Sequence, residues 1–240
     1  MDEAAFRTYV QDVEASEHPG ALWRSAKRFF ATQGVRRLSY HHHSGSLDDP
    51  SGGVFTEGFP QSWVDDYLGE KLHRVDPIPH AALKTFEPFH WADVSRLRVL
   101  SDAEAAYMRR LDAQRLGDGL AIQVFGPDGR NGYCGLGFGG DRRELDGDQM
   151  RLLQAACQLG HLRYCRLVPP EAQDTSGLSG REREVLLWLA RGKSNGAIAD
   201  ILGCSPHTVD THVRRIFSKL GVRDRITAAV RAVGSGLVIP

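Results

Sequence analysis

A chain of 240 residues with 41% apolar and 25% charged residues has the make-up of a globular protein long enough for two small cores. No run of 18 apolar residues occurs, and the acidic start MDEAAFRTYVQDVEASE has no apolar stretch of the kind a secretory signal needs, so neither a membrane span nor export is expected. The net charge of zero argues against a uniformly basic protein, yet Gly177–Pro240 holds ten Lys/Arg against five Asp/Glu, a surplus of +5 that the rest of the chain cancels.

Residues 2–15 and 19–33 read as helices, Arg36–His43 as a strand, and Gly53–Thr56 as its candidate partner. Pro60–His73 carries Trp63, Val64, Tyr67, Leu68 and Leu72 at helical spacing. Ser101-x-x-Glu104 is a capping-box pattern that opens a helix over Ser101–Leu116. Leu120–Phe125 and Gly132–Phe138 read as strands joined by the turn sequence Gly126-Pro127-Asp128-Gly129. Asp146–Leu167 is a long amphipathic helix. Together these predict an α+β domain, an antiparallel sheet between helices in an α-β-α sandwich. Cys134, Cys157, Cys165 and Cys204 form no C-x-x-C pair, which predicts reduced thiols and a cytoplasmic protein.

After Val168 come two prolines and small polar residues without periodicity, where the charge balance changes sign. The expected organisation is a sensing domain over 1–168, a linker over 169–177 and a basic, all-α domain over 178–240. In the last, Ser179 and Glu182 cap a first helix whose inner stripe is Val185, Leu186, Leu189 and Ala190. A second helix runs from about Ser194 to Leu202, Gly203-Cys204 turns, and Ser205-Pro206 opens a third. Val209, Val213, Ile216, Phe217 and Leu220 point inward; His207, Thr208, Thr211, His212, Arg214, Arg215 and Lys219 lie on the other face. A short helix, a glycine turn and a longer basic helix form the geometry that seats a helix in the major groove. Arg214 and Arg215 suit guanine O6/N7 or phosphate, Thr208 and Thr211 suit phosphate or the thymine methyl, and Lys193, Ser205, His207 and Lys219 complete the candidate DNA contacts. On charge alone, a solvated basic face on an ordinary helical bundle is an equal reading.

Three stretches, Leu178–Leu186 (LSGREREVL), Gly192–Ala199 (GKSNGAIA) and Thr208–Gly221 (TVDTHVRRIFSKLG), resemble the LuxR-type (GerE-like) helix-turn-helix domain. The resemblance implies a four-helix domain that binds double-stranded DNA, with Glu182, Leu186 and Gly192 on signature positions. Asp210 departs from it, standing where many members carry a basic residue.

In the first domain, Trp63 and Tyr67 share a helix face, Asp76-Pro77 follows, Trp91 comes fifteen residues after Asp76, and Gly119 begins a strand. An indole N–H and a carboxylate can grip an amide-lactone while rings enclose its apolar remainder. Taken singly, such a Trp or Tyr is core and Asp-Pro a cap or turn. Jointly, Trp63, Tyr67, Asp76, Pro77, Trp91 and Gly119 resemble the pocket of the autoinducer-binding domain of LuxR-type quorum-sensing regulators, over residues 20 to 165. The resemblance implies an N-acyl-homoserine lactone as ligand and no cofactor. By it Trp63 donates to the lactone carbonyl, Asp76 accepts from the amide N–H, and Tyr67 and Trp91 pack on the ligand, with Phe59, Tyr40 and Gly119 in the same site. Phe59 stands where several members place a tyrosine, and Tyr133–Gly137 lacks a Ser/Thr often found there, which points to a non-oxo, branched or aromatic acyl group or to another ligand. The resemblance also implies a homodimer on a palindromic operator, with the helices Arg223–Val233 and 146–167 as candidate dimer faces.

His41-His42-His43 holds no metal by this reading, since adjacent strand residues point to opposite faces and no Cys or acidic partner stands at ligand spacing. The rivals are a lactone-processing enzyme using Asp76 with His73, His80 or His90, a regulator that senses another small molecule or a protein signal, and one that needs no ligand. No nucleophile motif supports the enzyme.

Overall fold

Alternation along Arg37–His42 (β1) sorts its side chains onto two faces of a sheet. Leu38 and Tyr40 enter one core, and Ser39 and His41 face a cavity on the other side. The computed structural model describes residues 3–42, 54–127, 130–140, 142–168, 177–234 and 237–238. These fall into two units, Met1–Val168 and Pro169–Pro240. The expected linker 169–177, apart from Gly177, lies outside the described residues, as do His43, Gly53 and the Asp128-Gly129 half of the expected turn.

The first unit is built on five antiparallel strands in the order β2-β1-β5-β4-β3. Besides β1 these are β2 (Val54–Glu57), β3 (Phe89–His90), β4 (Gly119–Val124) and β5 (Gly132–Gly137). Every residue of β4 and β5 is buried, so helices cover both faces and the sheet lies inside a sandwich. Under one face pack α1 (Glu3–Ala15), α2 (Pro19–Thr32) and the long C-terminal helix Gly147–Leu167, closing over Leu120, Ile122, Val124 and Leu136. There Tyr9 stacks on Phe29 at 4.6 Å, and its hydroxyl donates to the Ala156 carbonyl at 3.2 Å.

The other face carries shorter pieces. The expected helix over Pro60–His73 is interrupted: α3 covers Gln61–Gly69, Lys71 adopts a left-handed φ of 57°, and Leu72–Arg74 forms a separate 3-10 turn. The break lets Leu72 turn inward and frees Asp76 to cap α4 (Pro77–Ala82), its carboxylate accepting from the Ile78 N–H. A 3-10 turn at Trp91–Asp93, α5 (Val94–Leu97) and α6 (Asp102–Ala113) follow, the last opened by the expected Ser101–Glu104 capping box. The helix Gly147–Leu167 is α7, capped by Asp146.

The second unit holds α8 (Gly180–Ala190), α9 (Asn195–Leu202), α10 (Pro206–Leu220) and α11 (Arg225–Gly234). Side chains of Ser179, Ser194 and Ser205 cap the first three, and Gly203 and Gly221 end α9 and α10 in left-handed conformations at φ 63°. Its core gathers Val185, Leu186, Leu189, Ile198, Val209, Ile216 and Ala228. Glu182, 2% exposed, accepts from the Ser179 N–H and from Lys219 Nζ, each at 2.7 Å. Burial pushes its carboxyl upward, but the Lys219 and Ser179 bonds outweigh that and hold it below the usual range.

Glu182→Ala removes a cap and orphans the Ser179 N–H. Urea unfolding of the second unit is expected to show a loss of roughly 1–3 kcal/mol. An unchanged midpoint contradicts this assignment.

Candidate functional site

Between the sheet and α3, α4 and α6 lies a cavity of about 560 Å³, counting its open mouth. Phe59, Trp63, Tyr67, Asp76 and Trp91, all expected from the sequence, line it together. At its centre is Asp76, 6% exposed. Oδ1 accepts from the Ile78 N–H at 2.9 Å, and Oδ2 accepts from the hydroxyls of Tyr67 at 3.0 Å and Tyr107 at 2.9 Å. Burial pushes the carboxyl up to about 6, against the downward pull of the Ile78, Tyr107 and Tyr67 bonds. Burial, and then the Asp76 charge, raise both phenols well above their ordinary value, so both stay protonated donors.

Trp63 is 4% exposed, with the Arg110 guanidinium 5.9 Å from its ring centroid. Asp66 and Glu70 hold that guanidinium at 2.8 and 2.6 Å. Trp91 is clamped from both sides in sequence. The preceding His90 Nδ1 lies 2.8 Å from Asp118 Oδ2, and Asp118 Oδ1 accepts the N–H of Ala92 and of Gly119. Gly119 therefore serves the site from beneath rather than lining it. A Cβ there would come 2.7 Å from the Trp91 ring and 2.7 Å from the Leu136 carbonyl oxygen.

Tyr40 is not brought to this cavity. Strand alternation turns it to the opposite face, where its hydroxyl lies 2.8 Å from His161 Nδ1 in a second, apolar space of about 450 Å³ under α2 and α7. Conversely, Ser39, His41, Thr56, Tyr107 and Tyr133 line the ligand-sized cavity without having been expected there. Tyr107 meets Asp76 from 31 residues away, a pairing no local spacing displays.

On α10, His207, Thr208, Arg214 and Arg215 are exposed and Thr211 half-buried, while Val209, Val213 and Ile216 are buried, as the amphipathic pattern requires. Ser205 Oγ accepts from the Thr208 N–H at 3.1 Å, and the Thr211 hydroxyl donates to the His207 carbonyl at 3.0 Å. Asp210 forms an i,i+4 ion pair of 2.7 Å with Arg214, whose side chain is 78% exposed. Lys193 is exposed in the turn before α9. Lys219 is exposed as well, and its ammonium bonds buried Glu182 and the Gly177 carbonyl, so it also compensates a carboxylate.

Residues 19–164 match the family model of the autoinducer binding domain, and residues 176–232 match that of bacterial regulatory proteins of the luxR family. The quorum sensing-dependent transcriptional regulator RpaR of Rhodopseudomonas palustris is 29% identical over 185 residues, 77% of this chain and 75% of that protein. The transcriptional activator protein AhyR of Aeromonas hydrophila is 29% identical over 191 residues, 75% of this chain and 72% of its own. The crystal structure of Escherichia coli SdiA superposes with a TM-score of 0.74 at 21% identity, covering 98% of both chains.

A carboxyl raised from 3.8 to about 6 contributes stability below pH 3.8 that is lost as pH rises through 6. Relative to Asp76→Asn, the ligand-free protein should therefore lose roughly 2 kcal/mol between pH 4 and pH 7. Urea unfolding of both proteins across that range measures it. A difference that does not change with pH, or that moves the other way, contradicts the burial of Asp76.

Proposed function

Because the chain belongs to the LuxR family of bacterial regulators, with an autoinducer-binding domain ahead of a helix-turn-helix, it is a ligand-responsive DNA-binding transcription regulator, and we propose that its ligand is an N-acyl-homoserine lactone. The observation that carries this reading is the buried Asp76 carboxylate in a cavity walled by Phe59, Trp63, Ile78 and Leu111. A carboxylate has about four lone-pair sites, and three are taken. The fourth suits a single N–H on an otherwise apolar molecule, and the Trp63 indole suits the lactone carbonyl.

Domains over 1–168 and 178–240, joined by 169–177, couple the two activities. Ligand binding stabilises the competent state by about 2.7 kcal/mol at a hundredfold excess over Kd, shifting a population without chemistry. A regulator is favoured over a lactone-turning enzyme because Asp76 is held by two phenols and a backbone amide. The His80 ring bonds the Asp76 carbonyl, and the His90 ring bonds Asp118. No described helix is long and apolar enough to cross a membrane, and a cytoplasmic site of action fits a DNA reader.

The operator is read by Ser205, His207, Thr208, Thr211, Arg214 and Arg215 with Lys193, and Asp210 holds the Arg214 guanidinium in place. The active form is a homodimer on a palindrome. Ile226, Val230 and Val233 form an exposed apolar stripe along α11 at 75, 67 and 43% exposure, which favours that helix as the dimer face. The apolar side of α7 is already spent inside the first unit.

Calorimetric titration with lactones carrying straight, branched and aromatic acyl groups should give saturable binding by at least one; folded protein that binds none contradicts the ligand assignment. In gel-shift titrations Arg214→Ala should weaken operator binding by about 1–3 kcal/mol. Unchanged affinity would remove Arg214 from the interface.

A further inference from the structure

Three hydrogen-bonding groups meet on the sheet floor of the cavity, and none of them bonds to Asp76. Ser39 of β1 pairs across the sheet with Gly135 of β5. Gly135 has no side chain to keep its neighbours apart. A Cβ there would lie 2.5 Å from Ser39 Oγ, 2.8 Å from Tyr133 Oη and 3.3 Å from the edge of the Trp91 ring. The two hydroxyls and the indole thus surround one small space above a glycine.

That space is rich in donors. Trp91 is 5% exposed, and its buried Nε1 has no acceptor at full hydrogen-bond geometry, only the Tyr133 phenol oxygen nearby. Its N–H faces the Tyr133 phenol closely enough to pull that group's pKa down, although burial and the Asp76 charge push it up more strongly. An indole N–H only donates, and a neutral phenol and a serine hydroxyl each bring a further donor. Donors that outnumber the well-placed acceptors of a buried space are unfavourable until a further acceptor arrives.

A trans amide points its N–H and its carbonyl in opposite directions. A ligand whose N–H meets Asp76, at the start of α4, must turn its carbonyl to another part of the cavity. Phe59, Val64, Ile78 and Leu111 offer it nothing. We propose that Ser39, Tyr133 and the Trp91 indole form the seat of the ligand's amide carbonyl oxygen, and that these residues set the orientation of the acyl chain. This rests on the reading of the ligand as an N-acyl-homoserine lactone. The glycine at position 135 is then a requirement of the seat, since any side chain there fills it.

The test uses the full chain and whichever lactone of the panel it binds most tightly, synthesised with a ¹³C-labelled amide carbonyl. Calorimetry gives affinity, and infrared spectroscopy gives the stretching band of the bound carbonyl. Ser39→Ala and Tyr133→Phe are each expected to weaken binding about three- to tenfold. Each should also move the bound carbonyl band to higher frequency, while the thermal midpoint of the unliganded protein stays within a degree or two of the parent. A band that does not move in either variant overturns the seat, even where affinity falls, because a general loosening of the cavity weakens binding without changing the partners of one oxygen. Gly135→Ala adds an independent arm: occupancy of the seat by its methyl group should cost more affinity than either hydroxyl, and retained affinity also overturns the seat. Binding of no lactone by the parent protein overturns the ligand assignment together with the seat. Binding with unmoved bands overturns the seat alone.

Discussion

The first unit is organised around a carboxylate that should not be comfortable where it is. Asp76 is buried with no basic side chain bonded to its carboxylate, whose charge is carried by two phenols and one backbone amide. Those three bonds join α3, α4 and α6 at a single point. Take the carboxylate away and three short elements lose their common partner, and with it the wall of the cavity. The carboxyl is still pushed up to about 6, so the site remains electrostatically unsatisfied. A further donor from a ligand would relieve that, which is how a buried charge turns from a cost into a means of recognition.

The second unit shows the opposite solution. Glu182 is as deeply buried as Asp76, but Lys219 reaches it at 2.7 Å, and the carboxyl is held below the usual range. Both carboxylates sit at helix N-termini, where the backbone N–H groups and the helix dipole favour negative charge. One is paired with a cation and locks its helices; the other has only neutral donors and keeps a vacant lone pair beside an apolar cavity. The sheet contributes by separating two spaces: alternation on β1 gives Ser39 and His41 to the cavity and Tyr40 to the core under α2 and α7.

Much of this was legible in the sequence, for identifiable reasons. The caps at Ser101, Ser179 and Ser205 are local, because a cap and its target lie within three residues. The amphipathic stripe of α10 is local as well. Residues 69–97 resisted, since α4, β3 and α5 span only six, two and four residues, too few for a period to show. Tyr107 and Tyr133 could not be read as site residues because their partners come from distant segments. Tyr40 was misleading for a different reason. A strand residue's face depends on register.

The central claim is that a small acylated amide is held between Asp76 and the sheet floor. A crystal structure of the protein with its tightest-binding lactone tests it most directly. The claim requires the ligand N–H within hydrogen-bond distance of the Asp76 carboxylate and the amide carbonyl oxygen over Gly135, with the Tyr67 and Tyr107 bonds to Asp76 kept. A lactone seated instead in the second space beside Tyr40 and His161, or one whose amide leaves Asp76 without a new donor, would contradict it.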